Sequence, residues 1–309
     1  MKRLAAWLML CMLLGRSAWA EEIAPVLIDR TGELTEEYRF PDGTQVLEIV
    51  FPRVYSSDCA IVRFGYDVML IDASDDTPLM QRRVRSALNA MVVDYIDIAF
   101  NSHPHHDHLN GFGEVVKSCP IGRLVLTFPE DYNRKSVRAS QDFAARGIPI
   151  EHAADGDVFC LGAGEEVVIR VLQRNDTGTW TTNDRSALLH IHYGERSILF
   201  AADIELPAQR SYATDPPVGG IQADILKYPH HGKDALSDLF LRAVSPSLCI
   251  LTSADKSLTG GKQYLHTRGI PYLLTYAGLT RLRTDGQVWV VDYLHEDAPD
   301  RSTINPDYR

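Results

Sequence analysis

The stretch His103-Pro104-His105-His106-Asp107-His108 decides what kind of fold this 309-residue chain adopts. It reads H-x-H-x-D-H and follows residues 95–100, an apolar run typical of a buried strand. A glycine-punctuated segment then leads into a helix predicted over residues 114–117. Imidazole nitrogens and carboxylate oxygens gathered in one turn indicate a site for a divalent ion such as zinc or manganese. A solvated polar loop is the other interpretation, but it does not explain so many ligand-type side chains together.

The first 20 residues have the three parts of a secretory signal peptide. Lys2 and Arg3 form a basic head, residues 4–14 are apolar, and Ala18 and Ala20 give the A-x-A pattern of signal-peptidase cleavage. The apolar run is too short for a permanent transmembrane helix, which needs about 20 such residues. We therefore expect cleavage near Ala20 and a periplasmic or secreted protein that is not inserted in a membrane.

The expected mature chain is acidic. The whole chain contains 31 lysines and arginines and 41 aspartates and glutamates, and cleavage after Ala20 would leave 28 and 41, a net charge of −13. Binding of long nucleic acid depends on cationic side chains that neutralise phosphates, so an acidic surface disfavours that partner. The expected partner is a small molecule or a short phosphodiester.

The remaining chain suits one α/β domain over residues 21–295, followed by a loose polar tail over residues 296–309. Short apolar strands come first, and later strands alternate with helices. This order predicts two mixed sheets flanked by helices, an αββα sandwich. The expected strands are residues 46–51, 59–64, 68–73, 95–100, 124–128, 167–172, 187–192, 198–202, 225–228, 248–252, 273–276, 279–283 and 288–293, and the other expected helices are residues 77–93, 132–146 and 235–244.

Other polar residues also follow apolar strands. Asp203 comes after two alanines, where a carboxylate has no packing use, although aspartate is also common in turns. His230 and His231 follow residues 225–228, and they would lie on the same rim of the sheets. His190 and His192 alternate along a predicted strand, which indicates the polar face of that strand.

Four cysteines remain after the expected cleavage: Cys59, Cys119, Cys160 and Cys249. An exported protein can pair its cysteines. Cys249 lies within an apolar run and is more simply interpreted as a buried thiol, so the pattern leaves the disulfide state open.

Four blocks of the sequence resemble a metallo-β-lactamase-fold hydrolase. They are residues 57–62, residues 70–73, the H-x-H-x-D-H loop, and residues 200–204 together with residues 224–232. Within that superfamily, the chain resembles the soluble hydrolase domain of ComEC/Rec2-type competence proteins, because two histidines precede Gly232. The resemblance runs from about residue 46 to about residue 293.

The resemblance implies a site for one or two ions of zinc or manganese. One of His230 and His231 would bind metal and the other would face the substrate; the sequence leaves open which, and we provisionally assign His230 to the metal. The implied metal ligands are His103, His105, Asp107, His108, Asp203 and His230, with Asp203 bridging the two ions. The implied catalytic residues are Asp107, His231 and Lys233.

Three further residues are expected around the ligands. Asp72 either accepts a hydrogen bond from a ligand histidine, which would set the tautomer of that ring, or caps a turn. Many superfamily members carry another histidine between the H-x-H-x-D-H loop and the equivalent of Asp203. Here that region contains Asn183 and Ser186 instead, as in the competence-type domains.

The implied activity is hydrolysis of a phosphodiester or phosphate ester. A divalent ion lowers the pKa of its bound water towards about 7, so hydroxide is available at neutral pH. Asp107 can orient that hydroxide, while His231 and Lys233 can neutralise charge on a phosphoryl oxygen. Two alternatives stay open: a catalytically weak metal-binding module, because the additional histidine is missing, and a hydrolase of another ester or amide, such as a β-lactam or lactone.

Overall fold

The computed structural model describes residues 26–29, 40–175, 178–253 and 259–294. The predicted signal peptide, residues 1–20, and the predicted tail, residues 296–309, lie outside the described residues. The expected single domain over residues 21–295 therefore stays a prediction at both of its boundaries.

The first sheet has nine strands. They are β1 (Val26–Asp29), β2 (Leu47–Phe51), β3 (Cys59–Phe64), β4 (Asp67–Ala73), β5 (Ile96–Phe100), β6 (Ile121–Leu126), β7 (Ile150–His152), β15 (Leu279–Thr284) and β16 (Trp289–Leu294). Their order is β1-β16-β15-β2-β3-β4-β5-β6-β7. The strands from β15 to β4 pair antiparallel, whereas those from β4 to β7 pair parallel. The parallel half gives this sheet a set of carboxyl ends at one edge.

The second sheet has seven strands. They are β8 (Val158–Leu161), β9 (Val167–Leu172), β10 (Leu188–Tyr193), β11 (Arg196–Phe200), β12 (Ile225–Lys227), β13 (Leu248–Leu251) and β14 (Tyr272–Leu274), in the order β14-β13-β12-β11-β10-β9-β8. The strands from β8 to β11 are antiparallel, and those from β11 to β14 are parallel. Both sheets are therefore mixed.

Helices cover the outer faces of both sheets. They are α1 (Pro78–Ala90), α2 (His106–Leu109), α3 (Phe112–Val115), α4 (Arg134–Ala144), α5 (Leu206–Thr214), α6 (Asp238–Val244) and α7 (Gly260–His266), with 3₁₀ turns at Pro229–Gly232 and Thr275–Ala277. The buried face of α1 includes Val84 and Leu88, at the spacing that a helix needs to present one apolar stripe. These two side chains belong to the cluster packed on the outer face of the first sheet.

The main core lies between the sheets. Phe51 of β2 stacks on Phe200 of β11 with ring centroids 5.7 Å apart, which joins the two sheets directly. Burial of such apolar surface is worth roughly 25 cal/mol per Å², so this layer supplies a large part of the stabilising free energy. Separate apolar clusters lie under the helices of each sheet. Helix, sheet, sheet and helix thus form four layers, and the predicted αββα sandwich is confirmed.

The pattern analysis missed several elements. It did not predict β1, β7, β8, α5 or α7, which are three to nine residues long. The carboxyl end of α5 and the edge strand β8 have little apolar periodicity, so a local pattern does not reveal them. Contacts with residues distant in the sequence stabilise them instead. The helix expected over residues 235–244 begins only at Asp238.

All four described cysteines are free thiols: Cys59, Cys119, Cys160 and Cys249. Burial raises the pKa of the Cys249 thiol above its ordinary value, which agrees with the interpretation of this residue as part of the core. Among the described residues, no helix has the length and hydropathy that crossing a membrane requires.

Candidate metal centre

Chain segments that follow parallel strands of both sheets meet at one edge of the sandwich. In the first sheet, β4 ends with Asp72 and Ala73, and His103 follows β5. In the second sheet, Asp203 follows β11 and His231 follows β12. Ligand sites commonly form outside the carboxyl ends of parallel strands. The topology therefore brings together side chains that are far apart in sequence.

Asp72 organises the H-x-H-x-D-H loop. Its Oδ1 accepts hydrogen bonds from Asn101 Nδ2 at 3.0 Å and from the Ser102 backbone nitrogen at 2.8 Å. Its Oδ2 accepts one from Ser102 Oγ at 2.7 Å and lies 2.7 Å from Nδ1 of His108. When Nδ1 of His108 carries the hydrogen, its Nε2 keeps a free electron pair. Asp72 thus holds the His108 ring with Nε2 turned towards the cluster.

The turn at Pro229–Gly232 decides which of two consecutive histidines enters the site. His230 has φ 49° and His231 has φ 56°, both in the left-handed region that most residues avoid. The His231 ring is buried, and its Nε2 lies 3.3 Å from Asp107 Oδ2 and 3.5 Å from Asp203 Oδ2. The backbone conformation, which sequence patterns do not reveal, therefore directs His231 inward.

His230 faces a different environment. Its Nδ1 lies 3.7 Å from Glu205 Oε1 and 4.0 Å from Asp234 Oδ2. The provisional assignment placed His230 among the ligands and His231 beside the substrate. In the structure, the His231 ring lies among the cluster residues, and the His230 ring lies near Glu205 and Asp234.

Four side chains form the centre of the site: Asp58, His108, Asp203 and His231 each offer one ligand-type atom, and these atoms all lie within 4.8 Å of one another. The Nε2 of His108 is 3.3 Å from Asp203 Oδ2. In the described part of the chain, three buried atoms here have no hydrogen-bond partner: His108 Nε2, His231 Nε2 and Asp203 Oδ1. Unsatisfied buried polar atoms cost free energy. Nitrogen and carboxylate donors that converge without partners fit a divalent cation.

The charges of the cluster set its pKa values. Burial by itself lowers the pKa of the His108 ring. The charges of Asp203 and Asp72 outweigh burial and raise this pKa well above its ordinary value. Burial also lowers the pKa of His231, but the charges of Asp203 and Asp58 outweigh it and raise this pKa to about 9. Burial raises the pKa of Asp203, yet His231 and His108 hold it well below its ordinary value. At neutral pH without a bound cation, Asp203 therefore stays ionised while His108 and His231 are protonated, and each ring would release a proton from Nε2 when a cation binds.

His103 and His105 form a second group beside the first. His103 is fully buried, with Nε2 3.1 Å from Nδ1 of His105 and 3.9 Å from Oδ2 of Asp203. Burial, assisted by the charge on His108, holds the pKa of His103 well below its ordinary value, and burial also lowers that of His105. Neutral imidazole is the form that binds metal ions. Asp203 lies between the two groups, where a carboxylate can bridge two ions.

Asp58, Lys227 and Thr252 belong to the site, although the sequence analysis gave none of them a role in it. Lys227 ends the apolar strand β12, is 2% exposed, and forms an ion pair with Asp58 Oδ2. Thr252 Oγ1 donates a hydrogen bond to Asp58 Oδ1 at 2.6 Å, and His231 Nδ1 lies 3.1 Å from the same oxygen. A lysine inside an otherwise apolar strand was the available signal, because lysine is almost never fully buried unless it is paired.

The three remaining predicted residues lie outside the central cluster. Lys233 is exposed, and its backbone nitrogen donates to the His230 carbonyl at 2.9 Å. Asn183 is buried, and its Nδ2 donates to Glu205 Oε1 at 3.0 Å. Ser186 is buried beside the loop, since the nitrogen of the next residue donates to the Ser102 carbonyl at 3.0 Å.

His190 lies away from the cluster, on the other face of β10 from the central core. Its Nδ1 accepts a hydrogen bond from Arg170 Nη2 at 3.0 Å, and its Nε2 lies 3.0 Å from the Gln222 carbonyl oxygen. Burial and the charges of His192 and Arg170 lower its pKa to about 3. His190 is thus a neutral, fully hydrogen-bonded side chain of the second sheet.

An open groove of about 520 Å³ begins beside His230. Its lining combines apolar groups with carboxylates: Ile204, Glu205, Leu206, Pro207, Gln209, Pro229, His230, Asp234 and Ala235. Two of these lining residues are sequence neighbours of cluster residues, because Ile204 follows Asp203 and His230 precedes His231.

A family model of the metallo-beta-lactamase superfamily matches residues 52–245. This range spans the whole cluster except for Thr252, and it covers more than half of the chain. The chain belongs to the metallo-beta-lactamase superfamily, and its site is that of a metal-dependent hydrolase. No curated protein sequence matches the chain.

Several solved structures are similar in fold. A protein named as a metal-dependent hydrolase from Parabacteroides distasonis ATCC 8503 is 14% identical, covers 75% of this chain and 94% of its own, and has a TM-score of 0.47. YhfI from Bacillus subtilis, a metallo-beta-lactamase fold protein, is 13% identical, with coverages of 72% and 92% and a TM-score of 0.47. CmlA from Streptomyces venezuelae, described as a diiron beta-hydroxylase, is 14% identical, with coverages of 73% and 47% and a TM-score of 0.44. This chain thus spans about half the length of CmlA, and identities this low concern the fold alone.

Proposed function

We propose that this protein hydrolyses a small or short phosphodiester, or a phosphate ester, with the help of one or two divalent ions. The observation that carries the proposal is the convergence of His108 Nε2, His231 Nε2 and Asp203 Oδ1, three buried atoms without hydrogen-bond partners. Asp107 Oδ2 lies 3.3 Å from the second of these atoms. Two imidazoles and two carboxylates suit zinc or manganese.

The donors divide into two groups. We assign Asp107, His108, Asp203 and His231 to one ion, and His103 and His105, together with Asp203, to the other. Asp203 serves both groups because its Oδ2 lies 3.3 Å from His108 and 3.9 Å from His103. Bound ions would supply Lewis acidity and a water of lowered pKa. Asp107 is only partly buried, so it can accept a hydrogen bond from that water and orient it towards the substrate.

Cationic and polar groups beside His105 support a phosphoryl substrate. Lys135 lies close enough for its charge to lower the pKa of His105 further, after the larger effect of burial. Arg185 Nη2 donates a hydrogen bond to Tyr132 OH at 3.3 Å, and the next residue, Asn133, donates from Nδ2 to the Pro104 carbonyl at 3.1 Å, which ties this segment to the loop that contains His105. We propose that these two cations attract the phosphoryl oxygens, a role that the sequence analysis gave to His231 and Lys233.

The groove on the other side supports a substrate of limited size. Glu205 and Asp234 line it, and their carboxylates would repel a continuous run of phosphates. A neutral or cationic leaving group next to Leu206 and Pro207 fits this lining better. We therefore propose a small or short phosphodiester rather than long DNA, which also agrees with the acidic composition.

The competence-type resemblance is the narrower part of the proposal. Its support is the Pro229–Gly232 turn, in which one histidine joins the ligand cluster while its neighbour lies at the mouth of the groove. Asn183 and Ser186, both buried beside the site, take the region where many superfamily members have a further histidine.

Turnover assays on purified protein test the proposal. The panel is bis-p-nitrophenyl phosphate, p-nitrophenyl phosphate, a short single-stranded oligonucleotide, a chromogenic cephalosporin and a lactone, each with zinc, manganese or iron(II) added to chelator-treated protein. We expect hydrolysis of a phosphate ester, loss of turnover with chelator, and recovery with zinc or manganese. Turnover of the cephalosporin or lactone alone would refute the substrate assignment. Recovery with iron alone would refute the choice of metal.

A catalytically weak metal-binding module is the second candidate. The observation in its favour is the composition of the His103 and His105 group, which gains no third histidine from the described residues, since His190 and His192 lie elsewhere on β10. Fully metallated protein that turns over none of the five substrates would favour this candidate. Metal analysis of the same sample gives the stoichiometry that distinguishes one ion from two.

We also propose that the chain is exported, on the basis of Lys2, Arg3, the apolar residues 4–14 and the Ala18-x-Ala20 pattern. The mature amino terminus would then be Glu21. Amino-terminal sequencing of the periplasmic and extracellular fractions tests this. A full-length form that begins at Met1 and is confined to the cytoplasm would refute it.

A further inference from the structure

We propose that Lys227 is a positioning residue for His231 and acts through Asp58. This inference rests on the proposed metal-binding role of His231. It assigns a function to a buried ion pair that joins the two sheets, and it accounts for a lysine in an apolar strand.

Lys227 lies in an environment that is unusual for a lysine. It is 2% exposed at the end of β12, and its Nζ pairs with Asp58 Oδ2 and lies 3.3 Å from the Ala202 carbonyl oxygen. The neighbouring void, which also borders Thr252, has a volume of only about 10 Å³, no more than a single water needs. The ammonium therefore has no room to turn to another partner, and the ion pair fixes the position of Asp58.

Asp58 in turn holds His231. Its Oδ1 accepts the hydrogen bond from Thr252 Oγ1 at 2.6 Å and lies 3.1 Å from His231 Nδ1. A hydrogen on Nδ1, shared with this carboxylate, leaves the electron pair of His231 on Nε2, the atom turned towards Asp107 and Asp203. Both oxygens of Asp58 are engaged in this way, so Asp58 orients a ligand rather than acting as one.

His108 is also held by a carboxylate, that of Asp72, but the surroundings of the two carboxylates differ. Asp72 holds His108 in the same manner, but its remaining contacts are neutral donors from Asn101 and Ser102. Asp58 has a buried ammonium instead. Removal of that charge leaves an uncompensated carboxylate in the interior, close to the Asp203 carboxylate, and breaking a buried pair in this way is strongly unfavourable. The geometry of His231 should therefore depend on Lys227, whereas that of His108 should not.

A double-mutant cycle tests the inference with Lys227→Met, Asp58→Asn and the combined variant, all in the full mature chain. Zinc stoichiometry and affinity are measured by competition with a chromophoric chelator, and the visible spectrum of the cobalt-loaded protein reports ligand geometry. We expect Lys227→Met to weaken one zinc site by about 10- to 100-fold, the usual range for residues that orient a ligand. Asparagine keeps an oxygen for His231 Nδ1 and needs no counter-charge. The combined variant should therefore bind more tightly than the product of the two single effects predicts, and its cobalt spectrum should approach that of the wild type.

Lys262→Met is the matched control, since Lys262 is also a buried lysine but lies in α7, with Nζ 5.9 Å from the Tyr276 ring centroid. It should leave both zinc affinities unchanged. Wild-type zinc affinity and spectrum in folded Lys227→Met would overturn the inference, as would additive effects in the combined variant. If Lys227→Met does not fold, the combined variant alone decides: loss of one ion from it would mean that Asp58 is itself a ligand. Wild-type protein that binds no metal would instead refute the proposed function.

Discussion

Nδ1 of His108 lies 2.7 Å from Oδ2 of Asp72, although the two residues are 36 positions apart in the chain. The contact joins the end of β4 to the helix that contains the last histidine of the H-x-H-x-D-H loop. It directs Nε2 of the ring to the cluster and holds the loop at the edge of the sheet. The first prediction concerns this contact.

Asp72→Asn should weaken metal binding by about 10- to 100-fold. Asparagine tolerates the φ of 53° at this position and can keep the hydrogen bonds from Asn101 and Ser102, so the loop should stay folded. It cannot accept the His108 hydrogen with a full negative charge. Competition with a chromophoric chelator measures the affinity, and an affinity equal to wild type would contradict the orienting role.

Asp203→Asn should remove at least one equivalent of bound metal. It should also reduce the rise in Tm that metal produces, because a ligand stabilises a protein by RT ln(1 + [L]/Kd), about 4 kcal/mol at 1,000 Kd. Metal analysis and thermal unfolding with and without chelator measure both effects. His152→Asn, at an exposed histidine of β7, is the control and should change neither. Full metal content in Asp203→Asn would show that Asp203 does not bridge two ions.

His231→Ala and His230→Ala should have different effects. His231 lies within the cluster, so its loss should remove one equivalent of metal and most of the turnover. His230 lines the groove, so its loss should leave the metal content unchanged and alter KM for the phosphate ester more than it alters metal affinity. Metal analysis together with steady-state kinetics separates the two. Loss of metal from His230→Ala alone would restore the assignment first made from the sequence.

We expect His190 to contribute to the loss of protein stability at acidic pH. Its pKa is lowered from 6.5 to about 3 in the folded protein, by burial and by the charges of His192 and Arg170. The unfolded chain therefore takes up a proton that the folded protein does not between these two pH values. The resulting stability is fully present above pH 6.5 and is lost as the pH falls towards 3, with a slope of up to about 1.4 kcal/mol per pH unit.

His190→Gln can replace both hydrogen bonds and does not titrate. Its free energy of unfolding should consequently fall less steeply than that of wild type between pH 6.5 and 4, as urea titrations at several pH values would measure. His152→Gln should follow the wild-type slope. A slope unchanged by His190→Gln would mean that His190 does not stay neutral in the folded protein.

The backbone at Gly111, which follows the H-x-H-x-D-H loop, has no room for a side chain. A Cβ added at this residue would lie 1.8 Å from the Ala73 carbonyl oxygen and 2.4 Å from Gln81 Nε2. Gly111→Ala should therefore destabilise the protein by roughly 3 kcal/mol or more, at the upper end of overpacking effects. Gly113→Ala, where the nearest atom is the terminal side-chain oxygen Oδ2 of Asp142 at 3.1 Å, should unfold near the wild-type temperature. Equal Tm values for the two variants would contradict the close approach at Gly111.

The H-x-H-x-D-H loop and the alternation of strands with helices were sufficient to predict the fold class. Ligand-type residues at fixed short spacing, after an apolar run such as residues 96–100, form a local pattern. Such local patterns can be recognised in the sequence because strands and helices each have a characteristic spacing of apolar residues. The fold class and the metal site could therefore be predicted without the structure, and the resemblance of four sequence blocks indicated the superfamily.

Tertiary structure alone decided the rest of the site. His230 and His231 both have a left-handed backbone conformation, which places the His231 ring in the cluster and the His230 ring beside the groove. No sequence pattern of two histidines predicts this backbone conformation. The pairing of Lys227 with Asp58 joins residues 169 positions apart, and it exists only because β12 of one sheet faces the start of β3 in the other. Sequence determines which side chains are available at the ends of the strands. The packing of two sheets determines which of them meet, since that depends on distances between segments that no local spacing encodes.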